Sequence, residues 1–127
     1  MKSPIIIATV IGLIMLKLIE VWIQNRALSG TITCAAATHE NEGEKFSFNE
    51  LNDAIDEVCK TSHDGYYLNI SDTIQKYWLI FGVEWSTEDY KWRGPFTNNG
   101  DKCWHFHGIE DNWDVYPCPP SGQNDYS

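Results

Sequence analysis

Four cysteines, at positions 34, 59, 103 and 118, limit what this chain can fold into more than any other feature. They contain no C-x-x-C pair of the kind that zinc modules use, so they read as two disulfides with three pairings open. Joining Cys34 to Cys118 would close the ends of the fold, and joining Cys59 to Cys103 would pin a helix to a sheet. That is the preferred pairing. The stretch Cys103–Cys118, CWHFHGIEDNWDVYPC, is where covalent constraint and candidate chemistry coincide.

Disulfides imply export, and the amino terminus agrees. Ile5–Leu16 is an uncharged run after Lys2, too short to span a bilayer well but of signal-peptide length. Ala27-Leu28-Ser29 supplies small residues for cleavage before Gly30, so residues 1–29 are read as a signal peptide, with an uncleaved anchor as the alternative. Cleavage there keeps all four cysteines, whereas cleavage within Ala35-Ala36-Ala37 would strand three. The whole chain of 127 residues carries a formal charge of −9, and without the leader 17 acidic residues face six basic ones. Such a surface repels nucleic acid and anionic membrane at long range. Residues 119–127, rich in Pro, Ser, Gly and Asn, read as a disordered tail, which leaves residues 30–118 as one domain.

Along that domain, Thr31–Cys34 is β-branched and predicts a first strand, and Ala35–Lys45 predicts a solvated loop. Ser47 and Glu50 form a capping box with Phe46 and Leu51 as its hydrophobic staple. Leu51, Ala54, Ile55, Val58 and Cys59 share one helical face, which predicts a helix over residues 48–60. Strands are expected at Tyr66–Ile70, Tyr77–Trp85, Asp89–Phe96, Lys102–Gly108 and Trp113–Cys118. The apolar run of Tyr77–Trp85 marks a central strand, and Asn98-Asn99-Gly100 carries a hairpin signature. Asn69-Ile70-Ser71 is an N-glycosylation sequon. The fold class expected is α+β, one helix packed on a small antiparallel sheet with two disulfides.

This order of elements resembles the small secreted fungal guanyl-specific ribonucleases, and still more the RNase-like effectors that powdery mildew fungi secrete. The closest local likeness runs through Asp89-Tyr90-Lys91-Trp92, His105-Phe106-His107-Gly108 and Trp113–Cys118. The resemblance implies a microbial-ribonuclease-like fold over about Thr31–Cys118. Carried across residue by residue, it leaves the catalytic set degenerate. The general-acid histidine falls at Phe106, the other histidine's stretch is Tyr66-Tyr67-Leu68, the general base falls near Leu79 and the phosphate-binding arginine falls at Tyr90.

The catalytic candidates that remain are His105, His107, Glu84 and Arg93, which would work only in a shifted register. His105 and His107 alternate on one strand face and could instead be metal ligands with Glu110 or Asp111. Neither a metal nor any other cofactor is expected. Tyr66, Trp92, Arg93 and His107 are the binding candidates, with Trp92 beside Arg93 as an outward stacking pair. The expectation is a secreted, monomeric, effector-like protein, extracellular or delivered into host cells, with no membrane association after cleavage. It would act without catalysis by binding a host protein or RNA. The alternatives are an unrelated disulfide-stapled toxin or effector domain, or an active secreted ribonuclease.

Overall fold

A computed structural model describes residues 18–50, 54–61 and 65–118, and it is built almost entirely of β-strands. In chain order these are β1 (Leu18–Ala27), β2 (Thr33–Thr38), β3 (Ala54–Lys60), β4 (Tyr66–Ser71), β5 (Lys76–Val83), β6 (Lys91–Thr97), β7 (Lys102–Ile109) and β8 (Asn112–Pro117). A 3-10 turn, Gly43–Lys45, lies in the β2–β3 connection. The strands form two four-stranded sheets, ordered β4-β1-β7-β8 and β3-β2-β5-β6. All neighbours are antiparallel except β1 and β7, which run parallel.

The expected α+β architecture, with a helix over residues 48–60 on a single sheet, is therefore overturned. Ala54–Lys60 is the edge strand β3, paired to β2 with a bulge between Ala37 and Thr38, and residues 51–53 lie outside the described residues. Two local facts work against the helix. Asn49 sits at φ +65°, a left-handed conformation that no α-helix tolerates in its run. Cys59 lies directly opposite Cys34, and their disulfide holds the segment extended against β2.

Ala35–Lys45 is also not a loop throughout. Ala35, Ala36 and Ala37 continue β2 and are fully buried. Small side chains there let the opposite sheet and the overlying Phe46 approach closely, and tertiary packing outweighs alanine's weak strand preference.

The central-strand reading of Tyr77–Trp85 corresponds to β5, an inner strand whose residues from Leu79 to Val83 are all buried. Tyr77, Leu79, Phe81 and Val83 face the main core, where they meet Val21, Ile23, Leu68, Ile70, Trp104, Phe106, Trp113 and Val115 from the other sheet. Asn98-Asn99-Gly100 joins strands of different sheets, so it is a crossing and not a hairpin. The Asn98 amide donates to the carbonyls of Ser71 and Ile74 and ties that crossing to the β4–β5 turn.

Residues 1–17 of the leader and 119–127 of the tail lie outside the described residues. Leu18–Ala27, also read as leader, forms the inner strand β1, with Val21, Ile23, Asn25 and Ala27 turned inward and Trp22 and Arg26 outward. The disulfides are Cys34–Cys59 and Cys103–Cys118, so the preferred pairing of Cys34 with Cys118 and Cys59 with Cys103 is also corrected. Each bond closes two strands of one sheet (β2 to β3, and β7 to the end of β8).

Polar groups join the two sheets at their edges. Beside β4, the Asn69 backbone N–H donates to Asp56 of β3 at 2.9 Å. At the opposite edge Arg93 of β6 forms an ion pair with Asp114 of β8 at 2.9 Å and also reaches the Val115 carbonyl. Inside, Thr33 and Tyr66 share a hydrogen bond from β2 to β4. Among the described residues no helix is long and apolar enough to cross a membrane.

Candidate functional site: an aromatic, acid-rimmed cleft

The outer face of the β3-β2-β5-β6 sheet carries a second, smaller core. The β2–β3 connection folds back over this face and buries Phe46 against Ala36 and Ile80, with Phe48 and Trp92 packed alongside. The rings meet edge to face: Phe46 with Phe48 at 4.9 Å between centroids, Phe48 with Tyr90 at 5.0 Å, and Trp78 with Trp92 at 6.5 Å. Gly82 makes this possible. A Cβ there would stand 2.8 Å from the Tyr90 ring and 2.9 Å from Phe48, so the strand must be bare where the rings cross it.

Two hollows open along this cluster and share Glu88 and Tyr90. The first, about 490 Å3, is lined by Gly43, Glu44, Phe46, Asp89 and Trp92 as well. The second, about 420 Å3, adds Phe48, Asn49, Glu84, Trp85 and Ser86, with the Cys34–Cys59 disulfide at its floor through Cys34.

The segment that walls both hollows is held from below. Glu88 accepts from Lys91 and from the Trp113 backbone N–H, both at 2.8 Å, and these bonds hold its carboxyl below the ordinary carboxylate range. Ser86 Oγ accepts from the Trp113 indole N–H at 3.0 Å, and Asp111 accepts from the Thr87 N–H at 2.9 Å. The opposite wall is fixed by Asn49, whose amide donates to Glu84 at 3.5 Å and contacts Cys59 Sγ at 3.8 Å.

The residues singled out from sequence fall in different places. Trp92 lines the first hollow, half-buried. Arg93 beside it points to the sheet edge, where it is engaged by Asp114. Tyr66 is buried, bonded to Thr33, and burial pushes its phenol above the ordinary value.

His105 and His107 lie on the outer face of the other sheet, 5.8 Å apart between rings, with Tyr116 against both. His105 is almost fully buried there, while His107 lines a separate hollow with Lys91, Asp114 and Tyr116. Glu84 sits on the outer face of the β5 sheet, so the structure does not bring His105, His107, Glu84 and Arg93 together. Glu110 and Asp111 lie in the β7–β8 turn. The Asn69 side-chain amide is buried and lacks a hydrogen-bond partner among the described residues, so the atom that would carry a glycan is not presented to solvent.

No family model, curated protein or solved structure matches this chain.

Among the described residues one trio of metal-ligating type, Cys34, Cys59 and Glu84, brings its ligand atoms within 4.8 Å, but both sulfurs are consumed by the disulfide. They offer no thiolate in the oxidised fold. The cleft therefore offers ring faces and carboxylates, a combination that attracts cations by quadrupole and charge together. Sequence reasoning missed Phe46, Phe48, Trp85 and Tyr90 as members of one site. The signal available was a lone glycine in an otherwise apolar strand, flanked in the chain by two aromatic-rich segments.

Proposed function

We propose that this is an exported binding module that engages a protein partner through a basic segment laid along the aromatic cleft. In the effector reading that partner is a host protein. Two disulfides are typical of extracellular proteins and fit this setting. The observation that carries the proposal is the cleft's chemistry: Phe46, Phe48, Tyr90 and Trp92 form its walls, and Glu44, Glu84 and Asp89 stand on or beside its rim. The net charge of −9 extends that attraction beyond contact range and disfavours RNA as the ligand.

The test is titration of the oxidised chain with a lysine-and-arginine decapeptide, an acidic decapeptide of equal length and a single-stranded RNA oligomer. Binding of the basic peptide alone, weakened by salt and lost on Trp92→Ala with Tyr90→Ala, supports the reading. Binding of RNA in preference to the basic peptide overturns it.

A further inference from the structure

The second hollow has one feature that its neighbours do not explain. Trp85 is 76 % exposed, yet its backbone sits at φ +62°. It occupies the third position of a tight turn that the Ser86 N–H closes onto the Val83 carbonyl at 3.2 Å, a position that turns of this kind give to glycine. A bulky side chain in the left-handed region is an outlier, and such outliers concentrate where a side chain is held for use. Among the described residues Trp85 also takes no part in the ring contacts that bind the other aromatics of the cleft together, so its face is open to solvent.

The carboxylates around it differ in availability. Glu88 is already engaged by Lys91 and by the Trp113 N–H. Among the described residues Glu84, the next residue to Trp85, has the Asn49 amide as its one side-chain donor, and no basic side chain stands within ion-pair distance of it. The hollow thus combines a carboxylate that holds only a 3.5 Å hydrogen bond from Asn49 and no ion pair among the described residues, an open indole and the Phe48–Tyr90 corner, whose rings meet at 73°.

We infer that this hollow takes an arginine side chain of the partner, its guanidinium stacked on Trp85 and forked onto Glu84. This rests on the proposed basic partner and names the residue that the cleft selects. A guanidinium is planar and weakly hydrated, so one carboxylate and one ring face satisfy it. A lysine ammonium gives up a tighter hydration shell, meets a ring face only as a point charge, without planar stacking, and has no flat fork to match both oxygens.

The experiment uses the oxidised full chain and lysine-rich decapeptides that differ only at a central guest residue: arginine, lysine, trimethyllysine or citrulline. Arginine is expected to bind about tenfold more tightly than lysine, with citrulline weaker still. That preference should disappear in both Trp85→Gly and Glu84→Gln. Glycine suits the turn, so the first variant keeps the fold, and retained near-ultraviolet circular dichroism verifies both.

Equal binding of all guests by a chain that still binds the host peptide overturns the arginine pocket and leaves the basic-partner reading standing. Preference for trimethyllysine overturns it in favour of an alkylammonium cage. Failure of every peptide to bind sinks both proposals together.

Discussion

At the scale of single residues, strain and burial give sharp expectations. Trp85 holds a left-handed backbone without the freedom of glycine, at a cost of order 1–3 kcal/mol. Trp85→Gly should therefore raise stability by about 1 kcal/mol after glycine's own entropy cost, as read by urea denaturation, while it weakens ligand binding. Tyr77 is fully buried, its hydroxyl has no partner among the described residues, and burial followed by the nearby Asp101 pushes its phenol up to about 12 from 10.0. A raised phenol favours the neutral form in the folded state. Its contribution is complete below pH 10 and falls as pH rises from there towards 12. Tyr77→Phe should be near neutral at pH 7 and should remove at most about 1.4 kcal/mol per pH unit from the alkaline slope, measured by denaturation at pH 9 to 12. Glu88 has the opposite sign. Its carboxyl is held below 4.5, so the stabilisation from Lys91 and the Trp113 N–H is present above pH 4.5 and is lost as pH falls through the lower folded value. Glu88→Gln should remove only this group's share of the acid limb, so that parent and variant differ in stability at pH 7 and converge as pH falls well below 4.5, measured by urea denaturation across that range.

Elements show where the sequence was legible and where it was not. β5 could be read because a strand buried on both faces leaves a continuous apolar run, and β4, β7 and β8 because alternation and turn residues bracket them. The residues of β3 satisfy helical spacing as well as a bulged strand does. What decides between them is non-local: β2 needs a partner on its free side, and Cys59 must meet Cys34. The cleft was hidden for a related reason, since its rings come from segments that only the packed sheet brings together. β1 shows strict alternation, with Val21, Ile23, Asn25 and Ala27 inward, but the apolar run before it drew the eye to export. This has a testable consequence. A chain that begins at Gly30 loses the strand between β4 and β7 and the burial of Val21 and Ile23, each worth roughly 1.5–3 kcal/mol against a domain margin of about 5–15 kcal/mol. A chain that begins at Leu18 should melt cooperatively, and one that begins at Gly30 should show no near-ultraviolet signal or thermal transition. A folded secreted product whose amino terminus maps to Gly30 by mass spectrometry would contradict this placement of β1.

For the whole molecule, neither disulfide joins the two sheets. Cys34–Cys59 closes 25 residues within one sheet and Cys103–Cys118 closes 15 within the other, so cohesion between the sheets comes from non-covalent contacts: the shared apolar core, the Thr33–Tyr66 bond, the two polar edges and the bonds of Ser86, Thr87 and Glu88 to Asp111 and Trp113. Loops of these lengths stabilise by about 3 kcal/mol each in the chain-entropy model. Clips in different sheets share no partner, so their effects should add to within about 0.5 kcal/mol. Chemical denaturation of Cys34→Ala/Cys59→Ala, of Cys103→Ala/Cys118→Ala and of the fourfold variant measures this. Under the pairing expected from sequence, both bonds would instead have stitched one sheet to the other, and removing the first would change the loop that the second closes. A coupling well above 0.5 kcal/mol, together with a non-reducing digest that links Cys34 to Cys118, would restore that pairing and with it a different arrangement of the strands. Additive losses would establish two separately clipped sheets, in which the β5-sheet clip braces the floor of the cleft, and its removal should weaken peptide binding more than removal of the other.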